Sequence, residues 1–340
     1  MKREKYDVVV VGGGAAGLSA ALTLSRARRG VLVIDSGSPR NAPAGHVHNY
    51  LGREGTPPGE LLAIGRSEVE GYGGEIVSGT VASAKAVDGG FQVDLAGGVS
   101  VRARRLLVTT GLADELPEVA GLSGLWGTDV LHCPYCHGWE VRDQPIGVLA
   151  TGPMAVHQTL LFRQWSADVT LFQNAAVDLT DEQKEQFAAR GIAVVDGQVA
   201  AVETAGGRLT GVRLTSGEVF PRQALVVAPR VTARAEVLVS LGLEAAEQEI
   251  NGYVVGSYVP AGPTGATAVP GVWVAGNVAD VKAQVLTSAA AGLNTAAAIN
   301  ADLIDEDTRD AVAARRADPF FARTEREVSE LVLGNRRHGL

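Results

Sequence analysis

The chain's only two cysteines stand three residues apart, in Cys133-Pro134-Tyr135-Cys136, and His137 follows directly. Thiols at this spacing close into a small disulfide ring and reopen, so the pair can hold or release two electrons. The thiolate is the reactive form of cysteine. An imidazole, with an ordinary pKa of about 6.5, can take the proton and hold a neighbouring sulfur in that form. The same residues also spell the attachment motif of c-type haem. That chemistry accompanies export, whereas Met1-Lys2-Arg3-Glu4-Lys5 leads into a short strand and a glycine turn, not a signal-peptide apolar region. A zinc site would need a second Cys or His pair at ligand spacing, and the sequence offers none. Thiol–disulfide redox chemistry is the reading taken. In a reducing compartment a lone cysteine pair is not a structural staple.

A redox pair needs an electron partner held beside it. Gly12-x-Gly14-x-x-Gly17 follows the β-branched run Tyr6 to Val11 and opens a helix expected over Leu18 to Arg28. Val31 to Ile34 reads as the next strand, and Asp35 stands at its end. In such a βαβ unit the first glycine permits the tight turn and the second lets backbone approach a pyrophosphate. The third lets helix and strand pack closely, the acid binds a ribose hydroxyl, and the helix N-terminus faces the phosphate charge. ADP-ribose is common to FAD and NAD, so this unit alone leaves the dinucleotide open. His46, His48 and Asn49 fall in a turn-rich stretch from Ser36 to Pro58. For the two histidines a solvated loop and a place near the bound dinucleotide stand side by side.

The elements that must position these groups form a repeated pattern. Alternation with Gly-Gly breaks from about Ile76 to Val101 suggests an antiparallel meander, and Arg105 to Thr109 a buried strand ending at Thr110-Gly111. From Pro145 the pattern restarts, with a strand at Ile146 to Ala150, Gly152 in a turn, a helix at Val156 to Trp165 and a strand at Asp168 to Phe172. A second meander is expected from Ile192 to Val219, closed by Ala224 to Ala228. Gly271 to Ala275 and an Ala-rich helix from Gln284 to Leu303 then resume the first pattern. The fold class is α/β: two Rossmann-like dinucleotide-binding domains of three-layer ββα type, the second inserted in the first. Expected limits are 1–114 and 244–304 for the first domain, 115–243 for the insert with both cysteines, and 305–340 for a charged helical tail broken at Pro319.

Bulk properties agree. A chain of 340 residues exceeds one ordinary core, and 42 glycines suit many tight βα turns. A net charge of −8 speaks against a nucleic-acid surface. No apolar run reaches the length of a membrane span, so a cytoplasmic location is expected.

With these motifs in view, the chain from residue 6 to residue 304 resembles the thioredoxin-reductase branch of the pyridine nucleotide–disulfide oxidoreductases. The resemblance rests on the first glycine motif, on Cys133-x-x-Cys136 just ahead of the second βαβ unit, and on Pro270-Gly271-Val272-Trp273-Val274-Ala275-Gly276-Asn277, which is similar to that family's late flavin-binding stretch. It implies FAD at the first site, bound by Gly12, Gly14, Ala16, Gly17, Asp35, Asn49, Gly111, Gly276, Asn277 and Gln284. It implies that Cys136 exchanges electrons with FAD, that Cys133 exchanges with substrate, and that the protein is a homodimer. Two positions depart from the family. Asn277 stands where an Asp usually contacts the ribityl chain. His137 stands where an acid follows the second cysteine, a departure that resembles flavin-dependent dithiol oxidases of small sulfur-containing natural products, which pass electrons to dioxygen.

The second glycine turn is degraded. Ala150-Thr151-Gly152-Pro153-Met154-Ala155 lacks the first glycine, and Pro153 has no N–H to offer phosphate. Phe172-Gln173-Asn174 brings neither a base for a 2′-phosphate nor an acid for a ribose, so tight NADPH binding by the usual route is not expected; Arg163 and Arg230 are the nearest bases in sequence. Three functions remain: a reductase of thioredoxin or a small disulfide, a dithiol oxidase ending on dioxygen, and a flavin module without thiol turnover. An intact Cys-x-x-Cys beside a histidine argues against the third. His137 and the degraded turn favour oxidation, while the family's commonest activity favours reduction.

Overall fold

The computed structural model describes residues 4–317 and 319–334. Met1 to Arg3 of the basic N-terminal stretch and residues 335–340 of the expected tail lie outside the described residues.

The first module runs β1 (Lys5–Val11), α1 (Ala15–Arg26), β2 (Val31–Asp35), α2 (Pro58–Gly71), β3 (Glu75–Ser78), β4 (Val81–Val87), β5 (Gly90–Leu95) and β6 (Ser100–Val108). β7 (Leu112–Glu115) leads out of it. The insert follows as β8 (Val130–Leu131), α3 (Pro134–His137), β9 (Ile146–Leu149), α4 (Met154–Phe162), β10 (Val169–Phe172), α5 (Asp181–Ala189), β11 (Ala193–Val195), β12 (Val199–Ala205), β13 (Arg208–Leu214), β14 (Val219–Pro221) and β15 (Ala224–Val227). The chain returns through β16 (Arg230–Ala233), α6 (Glu236–Val239), β17 (Ala246–Ile250) and β18 (Tyr253–Tyr258). It ends with β19 (Val272–Val274), α7 (Val285–Ala317) and α8 (Pro319–Gly334).

Side chains alternate across a strand, and β1 is apolar on both faces, so both must be covered. Val9 and Val11 pack with Phe91 and Val93 of the meander; Val8 and Val10 pack against Leu18 and Leu24 of α1 and Ile299 and Leu303 of α7. Burying one such aliphatic side chain stabilises by roughly 1.5–3 kcal/mol, which is why the β-branched run selects the sheet's centre. The result is three layers: meander, parallel sheet, helices. In the sheet, β3, β2, β1 and β6 lie in that order and all neighbours are parallel; β19 pairs parallel with the end of β6, while β5 pairs antiparallel with its beginning. The insert repeats the plan. Its sheet runs β11-β10-β9-β15-β8, with Phe162 and Phe187 of the helices on one face and β12–β14 on the other.

The structure corrects four expectations. β3 pairs parallel with β2, Leu32 opposite Glu75, so it is the third strand of the sheet and not the start of the meander. β11 likewise pairs parallel with β10. In both modules a short helix, α2 or α5, supplies the crossover that a parallel strand requires; α2 fell in a stretch given no helix by its sequence. Residues Val231 to Leu243 pack in the first module's core, so the chain comes back at β16, ahead of residue 244. The helix expected to stop at Leu303 continues to Ala317. Its acids there meet bases of the sheet: Arg104 bonds Asp7 at 3.0 Å and Asp307 at 2.6 Å, Arg29 bonds Asp307 at 2.7 Å, and Arg105 pairs with Asp302 and Glu306.

β7 and β16, the two chain crossings, pair antiparallel, with β18 and β17 completing a small sheet between the modules. Among the described residues no helix is long and apolar enough to cross a membrane.

Candidate active site

The parallel sheet changes winding direction between β1 and β6, where a ligand crevice is expected beyond the strand ends. A cavity of about 980 Å3 opens there, lined by Gly12 to Ala16, Asp35 and Thr109 to Gly111. Gly12 has φ +105°, and a Cβ on it would fall 2.6 Å from the Thr109 carbonyl oxygen. Gly17 faces inward, where a Cβ would stand 2.0 Å from the Gly12 carbonyl oxygen; it shapes the turn without lining the cavity. At Gly14, by contrast, nothing lies within 4 Å, so backbone is open to an approaching group. Asp35 accepts from Gly13 N at 3.0 Å and pairs with Arg66 of α2. An open glycine cradle, a helix N-terminus and an acid at the next strand end fit the ADP half of FAD.

The cysteines share this space. Cys133 and Cys136 form a disulfide with Cα atoms 5.2 Å apart, across the single turn of α3. Pro134 occupies the first helical position, where no N–H is needed, and Cys133 caps the turn, its sulfur accepting from Cys136 N at 3.2 Å. Both cysteines and His137 line the cavity. Gln284, one residue ahead of α7, brings its amide nitrogen to 4.0 Å from Cys133 Sγ. Thus the disulfide, the glycine turn and the start of α7 border one volume although they come from distant parts of the chain.

The turn-rich stretch before α2 grips the redox loop. Asn49, in the left-handed conformation at φ +59°, donates its side-chain amide to the Tyr135 carbonyl at 2.7 Å. It does not line the cavity, in contrast to its expected place beside the flavin. His48 reaches Glu54 at 2.6 Å and Glu140 at 3.4 Å. These contacts hold Glu54 below the usual carboxylate range, chiefly through the His48 hydrogen bond and then the Asn49 backbone N–H.

His137 is pushed below its ordinary pKa by burial; Glu140 works against the shift and His48 adds to it. The imidazole is therefore neutral at pH 7. His132, next to Cys133, is lowered by burial as well, and its Nδ1 lies 3.2 Å from the Val227 carbonyl oxygen. The same Nδ1 lies 3.4 Å from the Gln158 amide nitrogen, so this ring nitrogen faces an acceptor and a donor at once. Gln158 of α4 donates to the His132 carbonyl at 3.1 Å. Of the chain's six histidines, His46, His48, His132, His137 and His157 all line this one cavity. Sequence reasoning passed over His132, though its place beside Cys133 was a visible signal. Arg66 carried no local signal at all.

Around the far rim, Gly111 and Gly276 take φ of +74° and +75°, and both line the cavity with Ala16 and Asn277. Asn277 donates to the carbonyls of Asp280 at 3.1 Å and Ala283 at 2.8 Å, holding the loop that leads into α7. A carboxylate has no proton to give, so the Asn found here has a structural reason.

In the insert, Asn174 spends both ends of its amide on backbone, donating to the Ala150 carbonyl and accepting from Val199 N. Arg163 bonds the carbonyls of Arg190 and Ser166, and Arg230 pairs with Glu115. The two arginines nearest in sequence to the second turn are thus engaged elsewhere. Among the described residues no group of three His, Cys, Asp or Glu side chains could hold a metal.

Residues 6–296 match the pyridine nucleotide-disulphide oxidoreductase family. A thioredoxin reductase of Leptosphaeria maculans, sirT, is 30% identical over 319 residues, 89% of this chain and 95% of that protein. The thioredoxin reductase tcpT of Claviceps purpurea is 32% identical over 249 residues, covering 70% and 78%. Among solved structures, HlmI superposes with a TM-score of 0.84 at 45% identity over 92% of this chain and 96% of its own. An oxidoreductase from Agrobacterium tumefaciens gives 0.82 at 36% identity over 88% and 99%. The match covers more than four fifths of the chain, and the chain belongs to the pyridine nucleotide–disulphide oxidoreductase family as a thioredoxin-reductase-like, FAD-dependent disulfide oxidoreductase.

Proposed function

We propose that the protein oxidises a substrate dithiol to a disulfide, using Cys133 and Cys136 as the first electron acceptor and dioxygen as the last. The observation that carries this reading is that the Cys133–Cys136 disulfide and the neutral His137 border the same cavity as the Gly12–Ala16 cradle. A substrate thiolate attacks Cys133, the Cys133–Cys136 bond breaks, and Cys136 leaves as thiolate. The second substrate thiol then attacks the mixed disulfide, releasing the substrate disulfide and leaving both cysteines reduced. Two protons come off the substrate, and His137 accepts one of them. Held by Gly12, Gly14, Asp35, Gly276 and Asn277, FAD supplies two-electron acceptance from the dithiol and delivery to dioxygen, with hydrogen peroxide as the balanced product. Gln284 and the free N–H groups at the start of α7 would favour negative charge on the flavin pyrimidine.

The direction is supported by the second turn, which has Ala150 for glycine, a proline at 153 and no base beyond β10. The relatives' names favour the opposite direction, an NADPH-fed reductase of thioredoxin or a small disulfide. A cytoplasmic homodimer belongs to either reading. Anaerobic stopped-flow mixing separates them. The oxidase reading expects dithiothreitol to bleach the flavin and aeration to restore it with oxygen uptake. Fast bleaching by micromolar NADPH or NADH would overturn it.

A further inference from the structure

The hairpin β17–β18 turns through Asn251 and Gly252, both at positive φ (54° and 78°), the pairing that two-residue hairpins favour. Its first residue beyond the tip is Tyr253. The phenol hydroxyl donates to the Thr151 carbonyl at 2.7 Å. The hydroxyl end of the ring packs against the next residue: a Cβ at Gly152 would stand 2.6 Å from the Tyr253 Cζ and 2.8 Å from its hydroxyl oxygen. Thr151 is itself tied to the Ala228 carbonyl at 2.9 Å, so the turn cannot recede easily. This turn joins β9 to α4, and in a doubly wound sheet that is where a dinucleotide's pyrophosphate must meet backbone.

We infer that Tyr253 is the residue that excludes pyridine nucleotide, closing the insert's glycine turn from the first module's side. The lost glycine and missing bases weaken such a site; the tyrosine occupies it. Gly152 is buried against the ring, where a side chain would collide with it. The inference bears on the electron source of the relay proposed above, but its test reads binding and not turnover, so each can fail while the other stands.

The experiment is calorimetric titration of the FAD-loaded protein with NADPH and NADP+, on wild type, Tyr253→Phe and Tyr253→Ala. Wild type and Tyr253→Phe, which keeps the ring, should bind with Kd of about 1 mM or weaker, and Tyr253→Ala at least about tenfold more tightly. Hydrogen exchange at Thr151 to Met154 should quicken in Tyr253→Ala. Micromolar binding by wild type overturns the inference, and so does a Tyr253→Ala protein that folds, holds FAD and still ignores both nucleotides.

Discussion

Asn49 donates its side-chain amide to the backbone carbonyl of Tyr135, a 2.7 Å bond from the first module to the middle of the Cys133–Cys136 ring. The bond spans 86 positions in sequence and fastens the disulfide against the cavity. A net hydrogen bond of about 1 kcal/mol corresponds to roughly fivefold in the population of the arrangement it holds. Asn49→Gly tolerates the left-handed backbone at this position, and Asn49→Asp keeps the shape without the donor. Both should slow flavin reduction by dithiol about fivefold while FAD content stays at the wild-type level. Stopped-flow bleaching and the visible spectrum of the purified protein measure the two quantities. Lost FAD with an unchanged rate in the remainder would instead make Asn49 a flavin-binding residue.

Asn277 explains a departure from the family that looked, in sequence, like a weakened flavin contact. Both of its amide protons go to carbonyls, of Asp280 and Ala283. Asn277→Asp would remove two donors and set a carboxylate against two carbonyl dipoles, although it restores the residue usual in the resembling family. Two lost bonds of about 1 kcal/mol each predict roughly tenfold or greater weakening of FAD binding through the disturbed loop. Reconstitution of the apoprotein with FAD, followed by fluorescence, gives the ratio. Tighter FAD binding in the variant would show that the loop does not depend on this amide.

What could be read from the sequence divides along a physical line. The glycine turn, the β-branched strands and the cysteine pair carry local signals: Gly17 is required by the Gly12 carbonyl five residues before it, Gly12 takes a positive φ within the turn, and β1 carries its own burial pattern. The partnership of β3 with β2 is not local. Glu75 to Ser78 has the same alternation whether it pairs parallel with β2 or antiparallel in a meander, and only the crossover helix α2 decides. The charged segment after Leu303 reads as a solvated or dimer-edge helix until Arg104 and Arg105 of β6 are seen beneath it. In the candidate site the chemistry-bearing residues were visible because their types are rare. Asn49, Arg66 and Tyr253 take their meaning from groups 86, 31 and 102 positions away, and no spacing rule reaches that far.

The cysteines have separable roles in the proposed relay. If Cys133 takes the substrate's attack and Cys136 passes the electrons on, the free Cys133 of Cys136→Ser should exchange with a small symmetrical disulfide probe, keeping one half as a lasting mixed disulfide and releasing the other half as thiol, and the variant should show no flavin bleaching by dithiol. Cys133→Ser should form no such adduct in the cavity. Mass spectrometry of the intact variants identifies the adduct. Bleaching at the wild-type rate by Cys136→Ser would mean that electrons bypass the pair.

His137 sets the pH range over which the relay runs. Its folded pKa lies below the ordinary 6.5, first because burial opposes the charged form and then because His48 repels it, with Glu140 acting the other way. A proton acceptor must be neutral before the reaction, so the acid limb of kcat/KM for dithiol oxidation should fall below pH 6.5. Glu140→Gln removes the opposing influence and should move that limb further down. His137→Gln should remove the limb and lower the rate on the order of a hundredfold or more. Stability follows the same sign. Above pH 6.5 the ring is neutral folded and unfolded alike, and contributes nothing to the pH dependence. As pH falls through 6.5 the unfolded chain binds the proton first, so the folded state loses stability. His132, also lowered by burial, adds to that loss. Thermal melts between pH 8 and pH 5 should therefore decline most below about 6.5, and less so in His137→Gln. An acid limb lying above 6.5, unmoved by Glu140→Gln, would assign the proton to another group.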